Sequence, residues 1–327
     1  MPLRDIVGHK HLLDLLGVAV GRGTLPPSVI FTGPSGIGKR AAAVALAQLV
    51  NCPTPRDGDA CGVCASCTRI ARLVHADVLM IEPGDSGSIK VDQIREVIDR
   101  AAYRPFEGRR RVVIIDEADA MMPEAQNALL KTLEEPPTAS MFVLVTARPD
   151  MLLPTVRSRC QQLRFGLLRA DEVADVLMRV HEYSAADAHA AAAASEGSVG
   201  AALEGELDTL VEAREVAARV LQSVAGTSDP RRRLDGAKAL AGSGDRDELR
   251  CRLRALASIL RDLGAIGARA DDRHLVNADL IALLRRLASS YDGARTTSAF
   301  AAVDRALEAV DRNASPKIVA DWLAFQL

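Results

Sequence analysis

Aromatic residues are scarce in this chain: Phe, Tyr and Trp together make up 3% of its 327 positions. Its cores must therefore be aliphatic and alanine-rich, and the long Ala/Leu/Arg/Glu stretches favour many helices. Charge of one sign is also lacking, with a formal net charge of -2. No global positive field draws such a chain onto nucleic acid, so any DNA contact must come from a local patch or a larger assembly. No apolar run reaches the ~18 residues of a membrane span. The opening MPLRDIVGHKHLLDLL lacks the apolar core and small-residue cleavage site of a secretory signal. The expectation is a cytoplasmic protein with no membrane partner. Thiols stay reduced there, so the six cysteines point to metal or packing before disulfides. What is present is ordinary for a globular chain, 48% apolar and 26% charged, and the length predicts two or three domains.

Residues 1 to about 166 alternate β-like runs with helical patterns. SVIFTG (28–33), ADVLMIEP (76–83), RRVVIIDEAD (110–119) and SMFVLVTAR (140–148) are short and rich in Val and Ile, as strands covered on both faces read. Helical segments at 40–51, 91–103 and 123–134 lie between them. Strands separated by helices predict a parallel α/β sheet with right-handed crossovers. From about 167 the β signals vanish. Residues 168–205 read as a few short helices, with the alanine-rich run 185–194 as helix and a glycine break after it. From about 206 the pattern is helical, with loops expected at 225–230, 241–247 and 264–273.

GPSGIGKR (33–40) follows a strand and precedes an alanine-rich helix, which is the context of a phosphate-binding P-loop. Gly33, Gly36 and Gly38, with Ser35 between them, let backbone N–H groups converge on phosphate oxygens, and the helix N-terminus adds partial positive charge. Lys39 can reach the outer phosphates. The next position should carry a hydroxyl that binds Mg²⁺, but it is Arg40. Guanidinium cannot ligate a cation. Two readings follow: nucleotide (ATP or ADP) binds without productive metal, or the loop binds nothing. VVIIDEAD (112–119) delivers Asp116 and Glu117 at a strand's C-terminal end, where ligands bind in open α/β sheets. Asp116 would hold Mg²⁺ through water and Glu117 would polarise the attacking water. Thr146 ends the next strand, where a polar residue could sense the terminal phosphate; a threonine there is also common without that role.

Cys52, Cys61, Cys64 and Cys67 are spaced C-x8-C-x2-C-x2-C, with Pro53, Pro55, Gly58 and Gly62 permitting tight turns. Four thiolates suit a closed tetrahedral zinc site of the structural kind, and an iron–sulfur cluster is the alternative. His75 reads as a surface or core histidine, and Cys160 and Cys251 as packing residues. The basic runs Arg109–Arg111 and Arg231–Arg233 are candidate DNA contacts, although such runs are more often solvated faces.

GPSGIGKR, the four-cysteine module after it, IIDEADAM, NALLKTLEEPP (127–137) and RSRC (157–160) together resemble the bacterial DNA polymerase III clamp-loader family. A weaker match continues through EGSVGAAL (196–203) and RNASPKIVADWLAFQL (312–327). The resemblance implies an AAA+ nucleotide-binding-type domain over 1–166 with the zinc module (52–67) inserted, a helical lid over 167–205, and an all-α collar domain over 206–327. It implies a hetero-oligomer with gamma/tau and delta subunits that places a sliding clamp on primed DNA. It implies that Arg159 is an arginine finger acting on a neighbour's ATP site. The family's motor subunits carry Thr after the P-loop lysine and Arg in a Gly-Ser-x-Arg motif. Here these are Arg40 and, in Gly197-Ser198-Val199-Gly200, Gly200. The chain is thus similar to the family's delta-prime type, with weak or absent ATPase of its own; a gamma/tau-type motor and a zinc-dependent nucleic-acid-binding protein are the alternatives.

Overall fold

Runs of Val, Ile, Leu and Phe form the strands, as their branched and aromatic side chains suit a pleated surface packed on both sides. The structure is a computed structural model and describes residues 1–84, 86–195, 197–204, 207–225, 229–271 and 275–327. It divides into two units, Met1–Leu167 and Leu168–Leu327.

In the first unit β1 (Ser28–Thr32), β2 (Val78–Ile81), β3 (Arg111–Ile115), β4 (Ser140–Thr146) and β5 (Gln161–Arg164) form one sheet in the order β2-β3-β4-β1-β5. All its pairings are parallel; Ser28–Thr32 runs beside Phe142–Thr146 in matched register. Around it lie α1 (Lys10–Gly21), α2 (Lys39–Asn51), α3 (Ala65–Ala71), α4 (Val91–Ala102), α5 (Pro123–Glu134) and α6 (Pro154–Arg157). Successive strand residues point to opposite faces. Val29, Phe31, Val112, Ile114, Val143 and Val145 pack in one cluster with Leu13, Leu16, Ala42 and Leu46 of α1 and α2. Ile30, Val113, Ile115, Phe142 and Leu144 pack in a second with Ile94, Val97, Leu129 and Leu133 of α4 and α5. The result is a helix–sheet–helix sandwich. Strand β5, QQLR, was not expected from the sequence. It pairs with β1 at the sheet edge and its glutamines and arginine are exposed, so it carries no apolar alternation to read.

In the second unit α7 (Ala170–His181), α8 (Ala185–Ala194) and α9 (Val199–Glu204) share a small core of Leu168, Val173, Ala174, Leu177, Ala188, Ala191, Ala192 and Ala202. The alanine-rich run is helix α8, whose N-terminus is capped by the Ser184 hydroxyl accepting from the Asp187 N–H. A separate core joins α10 (Leu207–Val224), α11 (Pro230–Ala241), α12 (Arg246–Gly267), α13 (Ile281–Leu287), α14 (Gly293–Asp311) and α15 (Pro316–Gln326). Asp245 caps α12 by accepting from the N–H groups of Asp247 and Glu248. The expected lid–collar boundary at 205/206 lies outside the described residues, as do Glu196, residues 226–228 of the loop expected at 225–230 and residues 272–273 of that expected at 264–273. The loop expected from 264 begins later, because α12 runs to Gly267. Glycine inside a helix costs only about 1 kcal/mol, and burial of Leu256, Ile259, Leu260 and Leu263 outweighs it. No helix among the described residues is long and apolar enough to cross a membrane.

Candidate functional site

The loop from Gly33 to Gly38 joins the carboxyl end of β1 to the start of α2. Gly33, Gly36 and Gly38 have φ values of 139°, 72° and 95°, where side chains are disfavoured. At Gly33 space also decides: a Cβ would stand 2.3 Å from the Phe165 carbonyl oxygen. Ser35 is exposed on the loop. His9 Nε2 lies 3.1 Å from the Ile37 carbonyl, and its ring packs edge-on to Phe165 at 4.9 Å, so the α1 N-terminus braces the loop.

Lys39 is 6% exposed, and its Nζ donates to the Gly33 and Pro34 carbonyls at 2.7 and 2.5 Å. Burial pulls its ammonium down to about 8, against the raising effect of the Asp116 and Asp119 charges. Arg40 turns to the ends of the neighbouring strands. Its Nη1 donates to Asp116 Oδ2 at 3.2 Å and pairs with the Glu82 carboxylate. Asp116 Oδ1 accepts from the Glu117 N–H at 3.0 Å, and Glu117 itself is exposed with a left-handed backbone (φ 47°). Thr146 is buried and donates to Asp119 Oδ1 at 2.7 Å, while Asp119 Oδ2 accepts from Arg148 Nε at 2.9 Å. The fold thus brings Lys39, Arg40, Asp116 and Thr146 to one edge of the sheet. Glu82, Asp119 and Arg148 complete this cluster and were missed in the sequence. Asp119 stood inside the IIDEAD motif, whereas Glu82 gave no signal beyond its place at a strand end.

Arg159 is elsewhere. Its Nε donates to Glu134 Oε1 at 2.8 Å, its Nη2 reaches the same oxygen, and its Nη1 donates to the Thr155 carbonyl at 2.9 Å. None of these partners belongs to the P-loop. About a third of its side chain (32%) is exposed.

The four cysteines converge. Their Sγ atoms all lie within 4.8 Å of one another, and those of Cys61 and Cys67 are 4.0 Å apart. Tetrahedral ligation at Zn–S ~2.3 Å sets sulfurs ~3.8 Å apart, so the cluster fits with closure of at most about 1 Å between sulfurs. The Cys61, Cys64 and Cys67 N–H groups donate to the sulfurs of Cys52, Cys61 and Cys64. The Val63 N–H, then the Thr54 hydroxyl and the Cys64 N–H, bring the Cys61 thiol down to about 5, while burial pushes that of Cys67 up. Positive φ at Gly58 (78°) and Gly62 (78°) turns the chain between ligands. Asp59 accepts from the Leu3 and Arg4 N–H groups, and Gln48 Nε2 donates to the Cys67 carbonyl at 2.7 Å, tying the module to the N-terminal segment and to α2. These cysteines could hold a metal ion. His75 is buried outside the set, with Nε2 3.1 Å from the Ser66 hydroxyl and Nδ1 accepting from the Asp77 N–H. Of the basic runs, Arg109 and Arg110 line a cleft of about 440 Å³ with Val20, Leu25, Leu49 and Pro55. Arg111 is buried against Asp77, and Arg233 donates to the Phe325 carbonyl.

The family described as "DNA polymerase III, delta subunit" matches residues 8–168. The DNA polymerase III subunit gamma/tau of Mycobacterium tuberculosis is 37% identical over 54% of this chain and 31% of that protein. The subunit delta' of Pseudomonas aeruginosa is 39% identical over 43% of this chain and 44% of that protein. The chain spans less than half the length of these curated relatives. A solved structure of a DNA polymerase III gamma-subunit-related protein from Thermotoga maritima covers 95% of this chain and 97% of its own, at 19% identity and a TM-score of 0.41. The parallel sheet with its glycine-rich loop between β1 and α2 is an α/β domain, followed by a helical C-terminal part. Over residues 8–168 the chain is similar to the clamp-loader family of bacterial DNA polymerase III.

Proposed function

We propose that the chain is a delta-prime-type subunit of a DNA polymerase III clamp loader, acting in a complex with gamma/tau and delta subunits that loads a sliding clamp onto primed DNA. The observation that carries this reading is Arg40 paired to Asp116. The residue that should ligate Mg²⁺ instead brings a fixed positive charge to the carboxylate that should help hold it. Gly200 removes a second cationic group that the family's motors carry. The P-loop of this chain therefore holds nucleotide without turning it over.

Arg159 supplies the chemistry this subunit retains. Its guanidinium is partly exposed, and its partners lie on α5 and in the segment around α6, not on the chain's own P-loop. That placement suits a group offered to a neighbouring subunit. There it would stabilise charge on the transferring phosphoryl group. Glu134 is the partner it must release to do so. Asp116 and Glu117 keep the position of a hydrolytic pair but act without a productive cation. Cys52, Cys61, Cys64 and Cys67 hold a zinc ion in a closed four-ligand site, whose role is to order the segment between α2 and α3. The domains are an AAA+-type domain over 1–166, a lid over 167–205 and a collar over 206–327. The two separate helical cores of the second unit support the last division.

The test is Arg159→Ala in the reconstituted complex. Assembly should be intact by size-exclusion chromatography. Turnover at the site it serves should drop by about 10³-fold or more, seen in the complex as loss of that site's share of the ATPase. Unchanged turnover would refute the finger.

A further inference from the structure

Three carboxylates lie at or just past the ends of β2 and β3 beside the P-loop, and each already has a positive or hydrogen-bonding partner. Glu82 and Asp116 share the Arg40 guanidinium, and Asp119 accepts from Thr146 and Arg148. A divalent cation in such a site needs oxygen ligands, usually with one or two carboxylates among them. Here it would have to displace Arg40 from Asp116 while approaching the guanidinium's own charge. The hydroxyl that would have been its ligand from the first turn of α2 is replaced by that same side chain. The backbone frame for phosphate is nonetheless built in full, with three glycines at positive φ, the N-terminus of a 13-residue helix and Lys39 in the loop.

We propose that Arg40 takes the place of the divalent cation, so that this P-loop binds the polyphosphate of a nucleotide without metal. The guanidinium offsets part of the negative charge of Asp116 and Glu82, which would otherwise repel the phosphates, and remains about half exposed (47%). Lys39 exchanges the Gly33 and Pro34 carbonyls for phosphate oxygens. The two cations together do what one lysine and one Mg²⁺ do in a hydrolytic P-loop, but with no ion to polarise the outer phosphoryl group and no bound water to orient. Tight holding and slow chemistry then share one cause. This inference rests on the reading of the loop as a nucleotide site.

The experiment is equilibrium titration of the full chain with a fluorescent ADP analogue, in EDTA and in millimolar Mg²⁺. Wild type is expected to bind saturably in both, with affinities within about threefold of each other. Lys39→Ala should lose binding in both buffers, placing the signal at the loop. Arg40→Thr, checked for folding by circular dichroism, should bind at least about tenfold more tightly with Mg²⁺ than with EDTA. Wild-type affinity raised tenfold or more by Mg²⁺, or Arg40→Thr indifferent to Mg²⁺, overturns the role of Arg40 alone. No saturable binding in either buffer overturns the nucleotide-site reading with it. Neither result touches the Arg159 claim, which is read from turnover of the assembled complex.

Discussion

Asp77 is fully buried, and its two oxygens accept from the Phe106, Glu107 and Gly108 N–H groups at 2.7–2.9 Å and from Arg111 Nη2 at 3.0 Å. Burial alone would push its carboxyl up. The three N–H groups and the guanidinium outweigh it and bring the carboxyl down to about 2 from 3.8. A carboxylate lowered in the fold stabilises the fold above its unfolded pKa and loses that contribution as pH falls through its folded one. Asp77→Asn is predicted to cost about 3 kcal/mol near neutral pH, because it leaves the Arg111 guanidinium buried without a counter-charge. In urea unfolding, the gap between wild type and variant should narrow as pH falls from about 4 toward about 2. A gap constant over that window would contradict the argument. None of this was legible in the sequence, where Arg111 belonged to a run of three arginines. The run hides that alternate residues at a strand start point inward. Arg40 was the opposite case. Its departure from the P-loop pattern was plain in the sequence, but its partners Asp116 and Glu82 emerged only when parallel pairing set β2 beside β3.

The elements that could be read in advance were those buried on both faces. Strands β1, β3 and β4 fall where continuous apolar runs put them, since periodicity is strongest where every residue packs. Strand β5 and the extra turn of α12 were missed, one because its side chains are polar and exposed, the other because the loop was expected from 264, inside the helix. The cysteine module could be read from spacing alone, because four soft ligands on a short turn-rich segment admit few other uses. Its attachment could not: Asp59 on the N-terminal backbone and Gln48 on the Cys67 carbonyl are contacts of the folded state. Structural metal contributes folding energy directly. Cys64→Ser is therefore predicted to lose zinc by elemental analysis and to lower the thermal midpoint by several degrees, about what 1–2 kcal/mol produces in a domain of this size. A variant with full metal content and an unchanged midpoint would show that Cys64 is not a ligand of a structural ion.

For the whole molecule, the proposed function divides one reaction between chains. This chain keeps the P-loop frame, the acids past β2 and β3 and an arginine held by Glu134, but Arg40 and Gly200 stand where the proposed motor neighbour would carry a hydroxyl and a second arginine. The most direct measurement is ATP turnover by the purified chain, alone and then mixed with clamp-loader gamma/tau and delta subunits. No turnover above background is expected for the chain alone, and turnover in the mixture should depend on Arg159. Robust hydrolysis by the isolated chain would contradict this division, because the chain would then be a motor in its own right.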